Sequence, residues 1–185
     1  MPLNRLALFL DRDGVINIDH AYVSKQENFE FVDGVFDLCR AAKRLDFLIF
    51  VVTNQAGIGR GYYTEKEFLD LTDWMCSVFI KERCKIDQVY FCPTHPDHGL
   101  GEYKIDSPFR KPSPGMISQA AQEHGINLSR SVLVGDKETD IQAGIAAGVG
   151  CNLLYRAIQM DVKNETEALA IVTDLHNVLP YLEKL

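Results

Sequence analysis

Phe9-Leu10-Asp11-Arg12-Asp13-Gly14-Val15-Ile16-Asn17 decides the reading of this chain. The stretch extends an apolar run, Leu6-Ala7-Leu8-Phe9-Leu10, that stops at two aspartates and a glycine. Five apolar residues ended by Asp and Gly read as a buried strand running into a turn. In an open α/β sheet that point is the carboxyl edge, where ligand crevices form. The turn at Gly14 lets both carboxylates face one pocket. Two crowded carboxylates need a cation or a shared proton to coexist. One can then attack as a nucleophile while the other handles protons.

Alone, an Asp-x-Asp pair reads as a solvated turn or a helix cap. Three further segments change that. Val51-Val52-Thr53-Asn54-Gln55 is a second apolar run, ending in a hydroxyl and two amides. Arg110-Lys111-Pro112 is a basic pair ahead of a helix-like segment, and Val132-Leu133-Val134-Gly135-Asp136 is a third run, with Asp140 four residues on. Three strand ends and one basic loop supply carboxylates, a hydroxyl and a fixed cation. That is the inventory for phosphoryl transfer: a nucleophile, Mg²⁺ ligands and donors for the equatorial oxygens.

The 185 residues suffice for one domain, 1–185, with a sizeable core. A hydrophobic share of 46% is ordinary for a globular chain, and the net charge of −7 argues against nonspecific binding to nucleic acid. Five scattered cysteines, odd in number and without Cys-x-x-Cys spacing, point to reduced thiols and a cytoplasmic setting. No signal peptide or membrane span is expected, and a monomer is the expected state. Gly57, Gly59 and Gly61 are not a dinucleotide fingerprint.

Strands are expected at 5–11, Phe47–Thr53, Gln88–Cys92, 131–135 and Val149–Tyr155. Helices are expected at Val35–Leu45, from the Thr64 capping box to Arg83, at Ser113–His124 and at Thr139–Ala147. Gly57–Gly61 reads as a flexible loop, and 165–184 as one or two helical segments. Alternation of strands and helices predicts a three-layer Rossmann-like α/β fold, a parallel sheet with helices on both faces. No stretch is long enough for a cap domain, so the site should be open.

Together, FLDRDGVIN, VVTNQAGIGRG, FRKPSPGM and VLVGDKETDIQAG resemble the haloacid dehalogenase-like phosphatases over 5–155. The pattern looks like the capless subgroup that acts on heptose bisphosphates or histidinol phosphate, and the pairs Arg110-Lys111 and Asp136-Lys137 are most similar to the heptose enzymes. The resemblance implies that Asp11 is the nucleophile that becomes an aspartyl phosphate. It makes Asp13 the acid and base, and Thr53 and Lys111 the groups holding the transferring phosphoryl. Asp136 would bind Mg²⁺ with Asp11 and the Asp13 carbonyl. Asp19, His20, Tyr22, Asn54, Gln55, Arg110 and Lys137 fall where those enzymes contact substrate.

The implied activity is Mg²⁺-dependent removal of the 7-phosphate of a heptose 1,7-bisphosphate, feeding nucleotide-activated heptose for surface polysaccharide. The alternatives are a histidinol-phosphatase, another small-metabolite phosphatase, or a non-catalytic phosphosugar-binding domain. Arg110 favours a substrate with a second phosphate.

One departure stands out. Those heptose enzymes carry a structural zinc on Cys-x-His and Cys-x-Cys, where this chain has Cys92, Thr94, Ser107 and Phe109. One ligand of four survives, so zinc is expected to be absent. The alternative is a rebuilt site from Cys92, His95 and His98, joined by Asp106. Plainer readings apply elsewhere. His20 also reads as a loop residue, His124 and His176 as surface, and Trp74 as core. Arg60 is either a phosphate contact or a solvated loop residue. Asp140 is a carboxylate that orients Lys111 or a metal-bound water, and Asp136 also reads as a helix cap.

Overall fold

The computed structural model describes residues 4–157 and 165–185. In chain order the elements are β1 (Ala7–Leu10), α1 (Val35–Arg44), β2 (Leu48–Asn54), α2 (Ala56–Gly59), α3 (Glu65–Lys81), β3 (Gln88–Cys92), α4 (Gly115–His124), β4 (Val132–Gly135), α5 (Glu138–Ala147), β5 (Cys151–Tyr155), β6 (Ala170–Val172) and α6 (Leu179–Leu182).

The six strands form one parallel sheet in the order β3-β2-β1-β4-β5-β6. From β1 the chain moves outward to β2 and β3, then returns to β1's other side with β4. The order therefore reverses between β1 and β4, and the crevice beyond their carboxyl ends is the natural ligand site of such a sheet. Register aligns those ends: Leu10 pairs Val51 of β2 and Val134 of β4. Asp11, Thr53 and Asp136 all emerge within two residues of that line.

Burial on both faces explains the unbroken apolar runs. Leu8, Leu10, Ile49, Val51, Val132 and Val134 pack toward α1, α3 and the C-terminal segment. Ala7, Phe9, Phe50, Val52 and Leu133 pack toward α4 and α5. Truncating Phe9, which is fully buried, would cost about 3–5 kcal/mol. The capping box holds: Thr64 Oγ1 accepts from Glu67 N at 3.1 Å, and Glu67 Oε2 accepts from Thr64 N at 2.7 Å. Trp74, half-buried on α3, packs against Phe29 and Phe31.

Two expectations are corrected. Gly57–Gly59 is not a flexible loop; it belongs to the short helix α2 and is buried. Its backbone is satisfied by Arg60 N to Ala56 O and Tyr62 N to Gly57 O, both 2.9 Å. The 165–184 segment is not wholly helical, because Ala170–Val172 adds β6 beside β5. A three-residue edge strand is too short to show an alternating pattern. The fourth helix begins at Gly115, with Pro114 just outside it.

The Cys39, Cys76, Cys84, Cys92 and Cys151 thiols are unpaired. Among the described residues no helix is long and apolar enough to cross a membrane.

Candidate active site

Asp11, the residue after β1, is 6% exposed, and its N–H donates to Val134 O at 3.1 Å. Lys111 reaches it from the loop before α4. All three ammonium protons of Lys111 are placed: on Asp11 Oδ1 at 2.8 Å, Asp140 Oδ1 at 2.6 Å and Val52 O at 2.7 Å. Burial alone would lower the Lys111 pKa, but Asp11 and Asp140 outweigh it and hold the ammonium form. Asp140 is clamped in turn, its Oδ2 accepting from Asp136 N at 3.1 Å and Lys137 N at 3.0 Å. The carboxylate thus ties the start of α5 to the lysine. Asn54 fixes the lysine's backbone: its Oδ1 accepts from Lys111 N and its Nδ2 donates to Lys111 O, both at 3.0 Å.

Asp13 lies in a cradle of N–H donors. Arg12 gives Nε and Nη2 at 3.1 and 2.8 Å, Asn17 Nδ2 lies at 3.1 Å, and Gln55 Nε2 at 3.0 Å. These four donors fix the orientation of the Asp13 side chain. Gln55 also donates to Thr53 Oγ1 at 2.9 Å and accepts from Tyr63 OH at 2.5 Å. Burial pushes the Tyr63 phenol up to about 12, so it remains a donor.

Arg12 and Tyr63 were not among the residues picked out from sequence. Arg12 is 1% exposed and lies near the Phe29 and Phe68 rings at 6.0 and 5.6 Å. A clue to it was present, since an arginine between two aspartates at a buried strand end needs one of them as partner. Tyr63 had no local signal.

Gly14 allows Asp136 to approach. Its φ is +97°, and a Cβ there would sit 2.4 Å from Asp136 Oδ2. Asp136 is not a helix cap; the α5 N-cap is Lys137. Burial, reinforced by the Asp11 charge, pushes the Asp136 carboxyl up to about 8. Burial also raises Asp11 to about 6, against the pull of Lys111. Ligand oxygens of Asp11, Asp136 and Asp140 lie within 4.8 Å of one another, and Asp136 Oδ1 is buried without a hydrogen-bond partner. Crowded, reluctantly ionised oxygen donors with an orphaned atom among them fit a divalent cation.

A cavity of about 470 Å³ joins these groups, a size suited to a small metabolite. Asp11, Asp13, Thr53 and Lys111 line its floor, while Asp19, Tyr22, Asn54, Gln55, Arg110 and Lys137 line its walls. Arg110 Nη1 donates to Thr94 O at 3.1 Å, and Lys137 Nζ pairs with Asp19 at 3.3 Å. His20 lies apart, in a neighbouring cleft, 3.5 Å from Glu30. On the loop carrying the remnant zinc positions, Cys92 Sγ meets Thr94 Oγ1 at 3.2 Å, and His95 Nδ1 faces the Asp97 and His98 amides at 3.2 Å.

Comparison with known proteins agrees with this geometry. A family model described as HAD-hydrolase-like matches residues 108–178, from the Arg110-Lys111 loop through β4 and α5. D-glycero-α-D-manno-heptose-1,7-bisphosphate 7-phosphatase of Burkholderia mallei is 56% identical over 177 residues, 95% of this chain and 93% of that protein. The β-anomer counterpart of Vibrio cholerae is 45% identical, covering 90% and 89%. The crystal structure of D,D-heptose 1,7-bisphosphate phosphatase from B. bronchiseptica, complexed with magnesium and phosphate, superposes with a TM-score of 0.80 at 26% identity, covering 97% and 99%. Fold and matches together define a HAD-like phosphatase. Within that class, the chain belongs to the family of heptose-1,7-bisphosphate 7-phosphatases.

Proposed function

We propose that this chain is a Mg²⁺-dependent phosphatase that removes the 7-phosphate of D-glycero-D-manno-heptose 1,7-bisphosphate through an aspartyl phosphate on Asp11. The carrying observation is that Asp11, Asp13, Thr53 and Lys111 converge on one cavity floor in a chain 56% identical to a protein named for that reaction. Mg²⁺, held by Asp11, Asp136 and the Asp13 carbonyl, would offset the repulsion between Asp11 and the phosphate. Lys111 and Thr53 hold the transferring group, the lysine ammonium giving up one of its present partners for a phosphate oxygen. Lys111 also keeps Asp11 ionised for attack, forming the Asp11–phosphorus bond as the sugar oxygen leaves.

Asp13 gives that oxygen a proton and afterwards takes one from water, releasing phosphate and restoring Asp11. Its four N–H donors aim the carboxylate. Acting as an acid requires it to take up a proton and turn away from part of that cradle. Arg110 and Lys137 meet the second phosphate. The 93–110 loop works without zinc, since Thr94, Ser107 and Phe109 are poor ligands; a stoichiometric zinc in the purified protein would refute this. The enzyme acts in the cytoplasm, a reading supported by five unpaired thiols, and as a monomer.

The test is phosphate release with Mg²⁺ from both anomers of heptose 1,7-bisphosphate beside histidinol phosphate. Preference for either bisphosphate supports the proposal. Equal or better turnover of histidinol phosphate would keep the mechanism and discard the substrate.

A further inference from the structure

Tyr22 lines the same cavity as Asp11, Asp13, Thr53 and Lys111, and its own loop holds it poorly. Ala21 and Tyr22 are both left-handed, at φ +59° and +56°. Neither is a glycine, so this backbone is strained and needs outside support. Within the loop, Asp19 Oδ1 accepts from Ala21 N at 2.9 Å.

Support comes from Arg60. Its guanidinium carbon lies 5.8 Å from the Tyr22 ring centre and 5.4 Å from that of Tyr62. Its Nη1 donates to the Tyr22 hydroxyl. The two tyrosine rings meet edge to face, with centroids 4.6 Å apart. Arg60 is itself firmly mounted. The preceding Gly59 donates to Pro93 O at 3.1 Å and accepts from Leu100 N at 2.8 Å, and a Cβ on Gly59 would sit 2.4 Å from Pro93 O. A rigid platform thus presents a planar cation to a strained aromatic loop. The tyrosines are 43% and 56% exposed, so the stack stands at the cavity mouth rather than in the core.

We propose that Arg60 is a positioning residue for substrate selection: by bridging Tyr22 and Tyr62 it sets the pose of the Tyr22 phenol against the sugar of a phosphorylated polyol. This rests on the sugar-bisphosphate reading above. Arg60 stands behind Tyr22 and is not among the residues lining the cavity, so small phosphate esters should bypass it.

Steady-state rates on heptose 1,7-bisphosphate and on p-nitrophenyl phosphate test the idea. Arg60→Ala should raise KM for the sugar about tenfold, with kcat and p-nitrophenyl phosphate turnover held within about twofold. Arg60→Lys should recover only part of the loss, because an ammonium lacks the planar fork. An unchanged KM, or an equal fall in rate on both substrates, overturns the proposal. Amide hydrogen exchange over residues 19–23 gives a readout that needs no substrate. Faster exchange in Arg60→Ala supports the bridge, and unchanged exchange overturns it. If the wild type shows no preference for the sugar over p-nitrophenyl phosphate, the substrate reading fails, and exchange alone then decides the role of Arg60.

Discussion

Lys111 and Tyr22 line one cavity and are held in opposite ways. Lys111 is 3% exposed, and each of its ammonium protons has a partner. Tyr22 is 43% exposed, strained in backbone, and braced by a side chain from another loop. The floor is a largely buried network of charges in which geometry and protonation are coupled. The rim is a wet set of contacts that can vary one at a time. Floor substitutions should therefore strike kcat and stability together, whereas rim substitutions should move KM.

The largest effect is expected from Asp11→Asn. No neighbouring side chain can replace its carboxylate as nucleophile, so turnover should fall by about 10⁴-fold or more. Asp140 still pairs Lys111, so circular dichroism should report a folded protein. Retained phosphate release would sink the mechanism.

Lys111→Ala comes next. It leaves Asp11 and Asp140 buried without their shared cation, which should destabilise the fold by about 3–5 kcal/mol and lower kcat about 10²–10³-fold. Denaturant unfolding beside kinetics checks both. A variant slow in turnover but fully stable would uncouple what the floor is argued to join.

Removal of metal exposes the same coupling through pH. Burial and crowding raise the Asp136 and Asp11 carboxyls in the folded protein to about 8 and about 6, above the ordinary carboxylate range. A raised carboxyl pKa means that the folded state binds the proton more tightly. The associated stability is complete below the unfolded value and lost as pH climbs through the folded one. Protein stripped with EDTA should therefore lose stability progressively between about pH 4 and 8. Mg²⁺ should restore it, most strongly at the upper end, where binding displaces the fewest protons. A flat thermal-melt profile across that window, with and without Mg²⁺, would contradict the crowded floor.

The same contrast governs what the sequence reveals. Asp11, Thr53 and Asp136 follow apolar runs, so strand, edge and chemistry are all written locally. Lys111 was legible because a basic pair ahead of a helix has a recognisable pattern. Arg12 was passed over though it sits inside the decisive motif, because its partner is set by how the chain turns at Gly14. Tyr63 acts through Gln55 from just beyond α2, and the glycine-rich segment between them, read as a flexible loop, hid how the chain folds back to bring the two together. β6 was missed because three residues carry no period, and α2 because glycines that read as flexible are in fact packed.

The smallest effect should come from Asp19→Asn, on the rim. Asp19 does two things there: it accepts the Ala21 N–H at 2.9 Å and pairs with Lys137 at 3.3 Å. Asparagine keeps an oxygen for the amide and removes only the ion pair. The two side chains are 36% and 57% exposed, so water and salt screen their attraction, and the pair contributes less than about 1 kcal/mol to stability. The melting temperature should barely move. KM for the bisphosphate should change within about threefold, because Lys137 loses a competing carboxylate while the cavity loses a fixed charge. That change should shrink as ionic strength rises. A tenfold fall in kcat at constant KM would show that the charge pair on the rim reaches the reacting groups, and the division between floor and rim would fail at its weakest joint.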